Sequence, residues 1–184
     1  MGKASYHHGD LRATILAHAA DLVAERGADG ISLRELARAA GVSHAAPAHH
    51  FGDRRGLFTA LATEGFRILA TELAGARPEF IDAAKAYVRF ALEHRGHFEV
   101  MFDKSLYDDA DPQLLEASAG ADAELRAGVA TLTDPHALAD PAGAALAAWS
   151  MVHGFAQLWL NDAVDTSGDP IATIERLAAI LFDG

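Results

Sequence analysis

The stretch ISLRELARAAGVSHAAPAHHFGDRR, Ile31 to Arg55, constrains the fold more than any other part of the chain. Leu33, Leu36, Ala37 and Ala40 fall on one helical face. Ser32 followed by Glu35 predicts a capping box, in which each side chain satisfies the other residue's free N–H. Gly41 ends that helix after only about eight residues. Gly41-Val42-Ser43 then makes a tight turn, and Ser43 is a natural N-cap for a second short helix reaching about His50. Phe51 supplies an inward anchor, together with Val42. Two short helices joined by a glycine-led turn describe a helix-turn-helix, whose second helix lies in a DNA major groove while the first crosses behind it. Such a recognition helix needs only two turns, because its N-terminal end is the part presented to bases.

The rest of the chain reads with helical period, without a convincing alternating strand. A first helix is predicted from about Gly9 to Arg26, with Leu11, Ile15, Ala19, Leu22 and Val23 on one face and Gly27 as its stop. Asp53 can cap a long helix from Arg54 to about Gly75, and Arg77-Pro78 marks a joint. A further helix follows from Glu79 to about His94, and Gly96 is expected to separate it from the shorter piece HFEVMFDKSLY. Asp111-Pro112 starts a helix running to about Leu132, and TDPHALADP reads as a connection. Two C-terminal helices, about Ala142 to Ala163 and Pro170 to Phe182, complete an all-α chain of about nine helices. The expected organisation is an N-terminal three-helix helix-turn-helix domain, residues 1–56, and a C-terminal helical regulatory and dimerisation domain, residues 57–184.

Charge follows this division. Residues 1–56 hold seven Lys/Arg, six Asp/Glu and six of the ten histidines, whereas residues 57–184 hold eight Lys/Arg against twenty Asp/Glu. The net charge of −11 argues against a polyanion partner as an average, but its distribution points any such partner at the head. The absence of cysteine removes disulfides, zinc-thiolate sites and thiol catalysis. MGKASYHHGD lacks the apolar core of a signal peptide. The most apolar stretch, Ala142 to Leu160, is interrupted by Ser150, His153 and Gln157, and reads as a buried helix rather than a membrane span. A cytoplasmic location is expected.

The exposed face of the second short helix should be His44, Ala45, Ala48 and His49. Small residues permit close approach to bases, and alanine can meet a thymine methyl. Ser32, Ser43 and Arg54 stand at helix starts, where free N–H groups and the positive dipole end favour phosphate.

SLRELARAAGVSHAAPAHHFGDRRGLFTAL, within a match from roughly Gly9 to Leu61, resembles the DNA-binding domain of the TetR family of transcriptional repressors. The shared pattern is Thr/Ser-x-Arg-x-Ile/Leu-Ala, then Ala-Gly-Val-Ser, then aromatic-x-His-Phe, then an Asp-Lys-like pair and leucine. The resemblance implies Arg34 near bases or phosphate, Ser32, Ser43 and His50 near phosphate, and His44, Ala45 and His49 facing bases or backbone. Arg54 takes the place of a phosphate-binding lysine. Two departures stand out. Ala48 replaces the aromatic residue, removing a phosphate contact, and Pro47 replaces an aliphatic one, which should cost a hydrogen bond or shift the helix start. AAWSMVHGFAQLWL, with Trp149, His153 and Gly154, resembles the C-terminal domain of a TetR branch named for its Trp-His-Gly motif, and HRGHFEVMF fits the same branch. This implies a ligand-binding body and a homodimer made by the last two helices.

Tyr87, Phe90, Met101, Phe102, Trp149 and His153 are the candidate pocket residues, each also readable as ordinary core. The penultimate helix is apolar nearly all round, so it must be covered on both sides, and a partner subunit supplies the second cover. Val152, Phe155 and Trp159, with Ile171, Ile174, Ala178 and Leu181 on the last helix, form the expected dimer interface. His44, His49 and His50 read as DNA contacts rather than metal ligands, and His94 with His97 as a helix end and ordinary surface. His7-His8 reads as a tip that either touches DNA or does not. No metal, cofactor or catalytic constellation is expected. The partners implied are double-stranded operator DNA, a second copy of the chain and a mostly apolar small-molecule effector, without a membrane. The alternative is a helical small-molecule-binding protein with a degenerate DNA-binding head.

Overall fold

The computed structural model describes residues 8–76 and 79–182. These form ten α-helices: α1 (His8–Arg26), α2 (Leu33–Ala39), α3 (Ala46–Phe51), α4 (Arg54–Gly75), α5 (Phe80–Glu93), α6 (Arg95–Met101), α7 (Pro112–Val129), α8 (Pro135–Ala139), α9 (Pro141–Leu160) and α10 (Pro170–Phe182). A 3-10 turn, Ala28–Gly30, joins α1 to α2. The described residues contain no strand. His7, the His8 side chain and the Arg77-Pro78 joint lie outside them.

The chain divides into two compact units, one made of residues up to Gly65 with His94–Glu116, the other of Phe66–Glu93 with the residues from Ala117 on. In the first unit, Ile15, Leu16, Ala19 and Val23 of α1 are buried with Leu36 and Ala37 of α2, Phe51 of α3, and Leu57, Phe58, Leu61 and Ala62 of α4. Removing each large side chain from water is worth about 1.5–3 kcal/mol, which suffices to hold helices as short as α2 and α3 that could not persist alone. Gly96, expected as a separator, lies inside α6 instead. A Cβ there would overlap the Ala20 carbonyl oxygen of α1. The missing side chain lets two backbones touch rather than breaking a helix. Gly65 of α4 instead makes room for side chains of α6, since a Cβ there would lie 2.5 Å from Met101 Sδ and 3.1 Å from His97 Cβ. His97, expected on the surface, is buried, with Nε2 at 2.9 Å from Glu64 Oε2.

In the second unit α5 packs on α9 and α10, burying Phe80, Ala84, Tyr87, Val88, Phe90 and Ala91. Lys85 Nζ reaches Glu175 Oε1 on α10 at 3.1 Å. Alanines dominate the α9 side of this packing: Ala144, Ala145 and Ala148 join Phe80, Val129 and Ala178 in one cluster. The stretch read as a connection contains α8. Asp134 Oδ1 accepts from the Ala137 N–H at 2.9 Å and Pro135 opens the helix, the same signature that starts α7 at Asp111-Pro112.

Candidate nucleic-acid interface

Helix α2 begins as its capping residue dictates. Ser32 is extended, and its Oγ accepts from the Glu35 N–H at 3.2 Å. The reciprocal half of the predicted capping box is replaced: Glu35 Oε1 receives Arg26 Nη1 at 2.8 Å, a charge-assisted bond stronger than one from a neutral backbone N–H. Arg34 is exposed in the first turn. The helix ends on two backbone bonds, Val42 N–H to Ala37 carbonyl at 3.0 Å and Gly41 N–H to Arg38 carbonyl at 3.3 Å. That double closure needs a left-handed residue, and Gly41 has φ 66°.

The start of the next helix corrects the reading of Ser43 as its N-cap. α3 begins at Ala46, with Ala45 in the capping position and no side-chain capping bond. Pro47 is the physical reason. It has no N–H to give the Ser43 carbonyl, which accepts from the Ala46 N–H at 3.0 Å in a tighter turn. Pro47 thus falls in the first helical turn, where a missing donor costs nothing, and its ring is buried. Ser43, His44, Ala45, Ala48 and His49 are exposed, and His50 is half-buried. The His49 and His50 rings meet edge to face at 5.4 Å between centroids. Arg12 of α1 lies over the Phe51 ring at 5.2 Å, tying the far end of α3 to α1.

At the start of α4, Asp53 Oδ1 accepts from the Gly56 N–H at 2.8 Å. Arg54 is more occupied than its place in the sequence suggests. Its Nε donates to the Ile31 carbonyl at 3.1 Å and its Nη2 to the Ala28 carbonyl at 2.8 Å, while the guanidinium lies 4.7 Å over the Phe58 ring. Its side chain keeps 41% of its exposure. Arg55, the next cation, is exposed and lies 3.8 Å from Asp108. Arg12, Arg55 and Glu99 were missed in the sequence. Glu99 accepts from the Ala28 N–H across 71 residues, a pairing no local pattern signals.

Of the residues proposed for a ligand pocket, Tyr87, Trp149 and His153 come together in the second unit. Trp149 Nε1–H points at the Tyr87 hydroxyl at 3.4 Å, and that hydroxyl lies 3.1 Å from His153 Nδ1. Indole can only donate, so the Tyr87 oxygen accepts from Trp149 while its hydroxyl and His153 Nδ1 share the second hydrogen bond of the chain. Burial pushes the Tyr87 hydroxyl above its ordinary value and holds His153 below its own. Phe90 is buried in the same unit, while Met101 and Phe102 belong to the first. Among the residues proposed for a subunit interface, Val152, Ile174 and Ala178 are buried within the chain. Phe155 is buried as well, Trp159 and Ile171 are half-buried, and Leu181 is 56% exposed. Leu146, Leu158 and Ile180 are further exposed apolar residues of α9 and α10. An open, mostly apolar groove of about 480 Å³ is lined by Met151, Gly154, Phe155, Leu158, Trp159 and Leu177 among others. None of the described helices is long and apolar enough to cross a membrane.

Residues 15–61 match the family described as bacterial regulatory proteins, tetR family, and residues 80–181, more than half of the chain, match the tetracyclin repressor-like C-terminal domain. The chain belongs to the TetR family. It is therefore a DNA-binding transcriptional regulator, and members of this family are regulators rather than enzymes. A solved structure of a protein of unknown function from Rhodococcus sp. RHA1 is 36% identical, with a TM-score of 0.74 over 98% of this chain and 97% of that one. A TetR-family regulator, PfmR from Thermus thermophilus, shares the fold at 20% identity, with a TM-score of 0.69 over 92% of this chain and 97% of that one. The HTH-type transcriptional repressor AcnR of Corynebacterium glutamicum is 47% identical over 53 residues, which span 29% of this chain and 28% of that protein.

Proposed function

We propose that this TetR-family regulator is a cytoplasmic homodimeric repressor that binds a palindromic operator and is released by a small, mostly apolar effector. One observation carries the reading: α3 and the turn that leads into it leave His44, Ala45, Ala48 and His49 all facing solvent, while Pro47 and Phe51 are buried beneath them. The exposed set is small or able to bond to bases, and the buried set fixes the helix that carries it. Ser32, Ser43, His50 and Arg54 would serve as the backbone contacts, and Arg34 would reach bases or phosphate. With two of its N–H groups already bound, Arg54 contributes a fixed positive field to a phosphate rather than a free fork. Residues 1–56 would form the DNA-binding part and residues 57–184 the ligand-binding and dimerising part.

The interface proposal rests on the exposed apolar residues of α9 and α10, Leu146, Leu158, Ile180 and Leu181, with Trp159 half-buried beside Leu158. Water-exposed apolar side chains in such number on two adjacent helices favour cover by a second copy. Two heads then face DNA with half-site centres roughly 34 Å apart or a multiple of it. For the effector, the support is the polar chain of Trp149, Tyr87 and His153 in a unit that also buries Phe90, and the Trp149, His153, Gly154 order supports the Trp-His-Gly branch. An effector loosens DNA binding only by as much as it prefers the non-binding state, typically about 1–3 kcal/mol. The relatedness to AcnR, named as a repressor, supports the sign of regulation over the matched head alone. Retardation of genomic DNA fragments by purified protein tests the reading. A discrete set of fragments retained at rising ionic strength supports it, and uniform retention that vanishes with salt refutes sequence-specific binding.

A further inference from the structure

We propose that Glu99, outside the helix-turn-helix, is a positioning residue for operator recognition, acting through the peptide of Ala28. This rests on the DNA-binding reading above and adds a residue to it. The Ala28 peptide is held from both sides. Its N–H donates to Glu99 Oε1 at 2.8 Å, and its carbonyl accepts Arg54 Nη2 at 2.8 Å. Arg54 also holds the Ile31 carbonyl, so the carboxylate of α6 and the guanidinium of α4 grip opposite ends of the turn that leads into α2. A negative group at the N–H end of this turn and a positive group at its carbonyl end match the dipoles of the peptides between them.

Neither grip is available to an arbitrary sequence. Gly27 stands at φ +77°, where any side chain would be strained, and a Cβ there would only just touch Glu99 Oε1, at 3.4 Å. Glu99 follows Gly96 by three residues and shares its face of α6. Gly96 lets that face approach the α1 backbone at Ala20. Gly96 therefore opens the approach by which one carboxylate reaches the joint between α1 and α2, and Gly27 supplies the left-handed backbone that turns the chain there. The Ala28 side chain is buried and its amide is part-buried, so loss of Glu99 leaves a donor without its charged acceptor. The turn would then be free to rotate. Because α2 carries α3 through the closure at Gly41, that freedom spreads to the exposed face of His44, Ala45 and His49. Sequence-specific contacts depend on this placement, whereas attraction to phosphate does not.

The test compares Glu99→Met, similar in length but without an acceptor, with Glu99→Gln, which keeps an acceptor oxygen and loses the charge. Affinities for a selected operator and for random-sequence duplex are measured at one ionic strength, with hydrogen exchange at the Ala28 amide. Glu99→Met is expected to reduce the ratio of operator to random-duplex affinity about tenfold, leave random-duplex binding unchanged and accelerate exchange at Ala28. Glu99→Gln is expected to restore the ratio to within about threefold of wild type and to slow exchange again, as a hydrogen-bond role requires and a packing role does not. A wild-type ratio in Glu99→Met overturns the proposal, and so does an equal loss in both variants. If the wild-type protein itself selects no sequence, the DNA-binding reading fails first, and the two failures are distinguished by that control.

Discussion

Replacing Gly96 with alanine should destabilise the protein, although alanine is the better helix former. A Cβ at this position overlaps the carbonyl oxygen of Ala20 and lies 2.8 Å from its carbonyl carbon and 3.1 Å from its Cα. Ordinary carbon–carbon contact is about 3.5–4.0 Å, so the α1 and α6 backbones must part by roughly 1 Å. The obstacle is main chain, so no rotamer change relieves it. Overpacking of this kind costs about 1–3 kcal/mol, with a backbone obstacle at the upper end, against about 1 kcal/mol recovered from helix propensity. A net loss of about 2 kcal/mol lowers the melting temperature by roughly 4–8 °C for a chain of this size. Gly120→Ala is the matched control: Gly120 is also inside a helix, is exposed, and its Cβ would meet nothing within 4 Å. It should raise stability by about 0.5–1 kcal/mol. Thermal and urea melts of both variants read the two signs. A Gly96→Ala protein that melts at or above wild type would refute the backbone contact between α1 and α6.

Other consequences are equally direct. His153 is held below its ordinary pKa by burial, so its contribution to stability is complete above about pH 6.5 and falls as the pH drops below that value, where the unfolded chain binds the proton first. Urea unfolding between pH 8 and 5 should show this slope in wild type and a weaker one in His153→Gln; identical slopes would detach His153 from the effect. Leu181→Glu combined with Ile180→Glu should yield monomers with reduced operator affinity, read by sedimentation and retardation, whereas an active dimer would place the interface elsewhere. Arg54→Ala should weaken binding to all sequences and reduce the salt slope by about one, while Ser43→Ala should weaken it without that change. An unchanged slope in Arg54→Ala would remove this residue from the phosphate contacts.

Several helix ends were chemically marked in the sequence. Ser32, Gly41, Asp53 and the Asp111-Pro112 pair all stand at the boundaries they predict. α8 was missed although Asp134-Pro135 carries the same mark, because its five residues are too few to display a period. Pro47 was legible as costing a hydrogen bond or shifting the helix start, and the fold shows the shift, with the helix beginning late enough to need no donor there. Gly96 was misread for a related reason: a glycine that breaks a helix and one that admits a neighbouring backbone are the same letter. The exposed face of α3 follows from local spacing. The partners of Arg54 and the reach of Glu99 to Ala28 do not, because they join segments 26 and 71 residues apart. His97 looked like surface for the same reason, its partner Glu64 lying 33 residues away.

Selection of bound fragments from random duplex DNA, followed by sequencing, bears most directly on the proposed repressor. Enrichment of a near-palindrome whose half-sites are centred one helical turn apart, or a multiple of it, is the expected result, lost when His44 and His49 are both replaced by alanine. Recovery of fragments without shared sequence, at an ionic strength where the protein still binds, would contradict it.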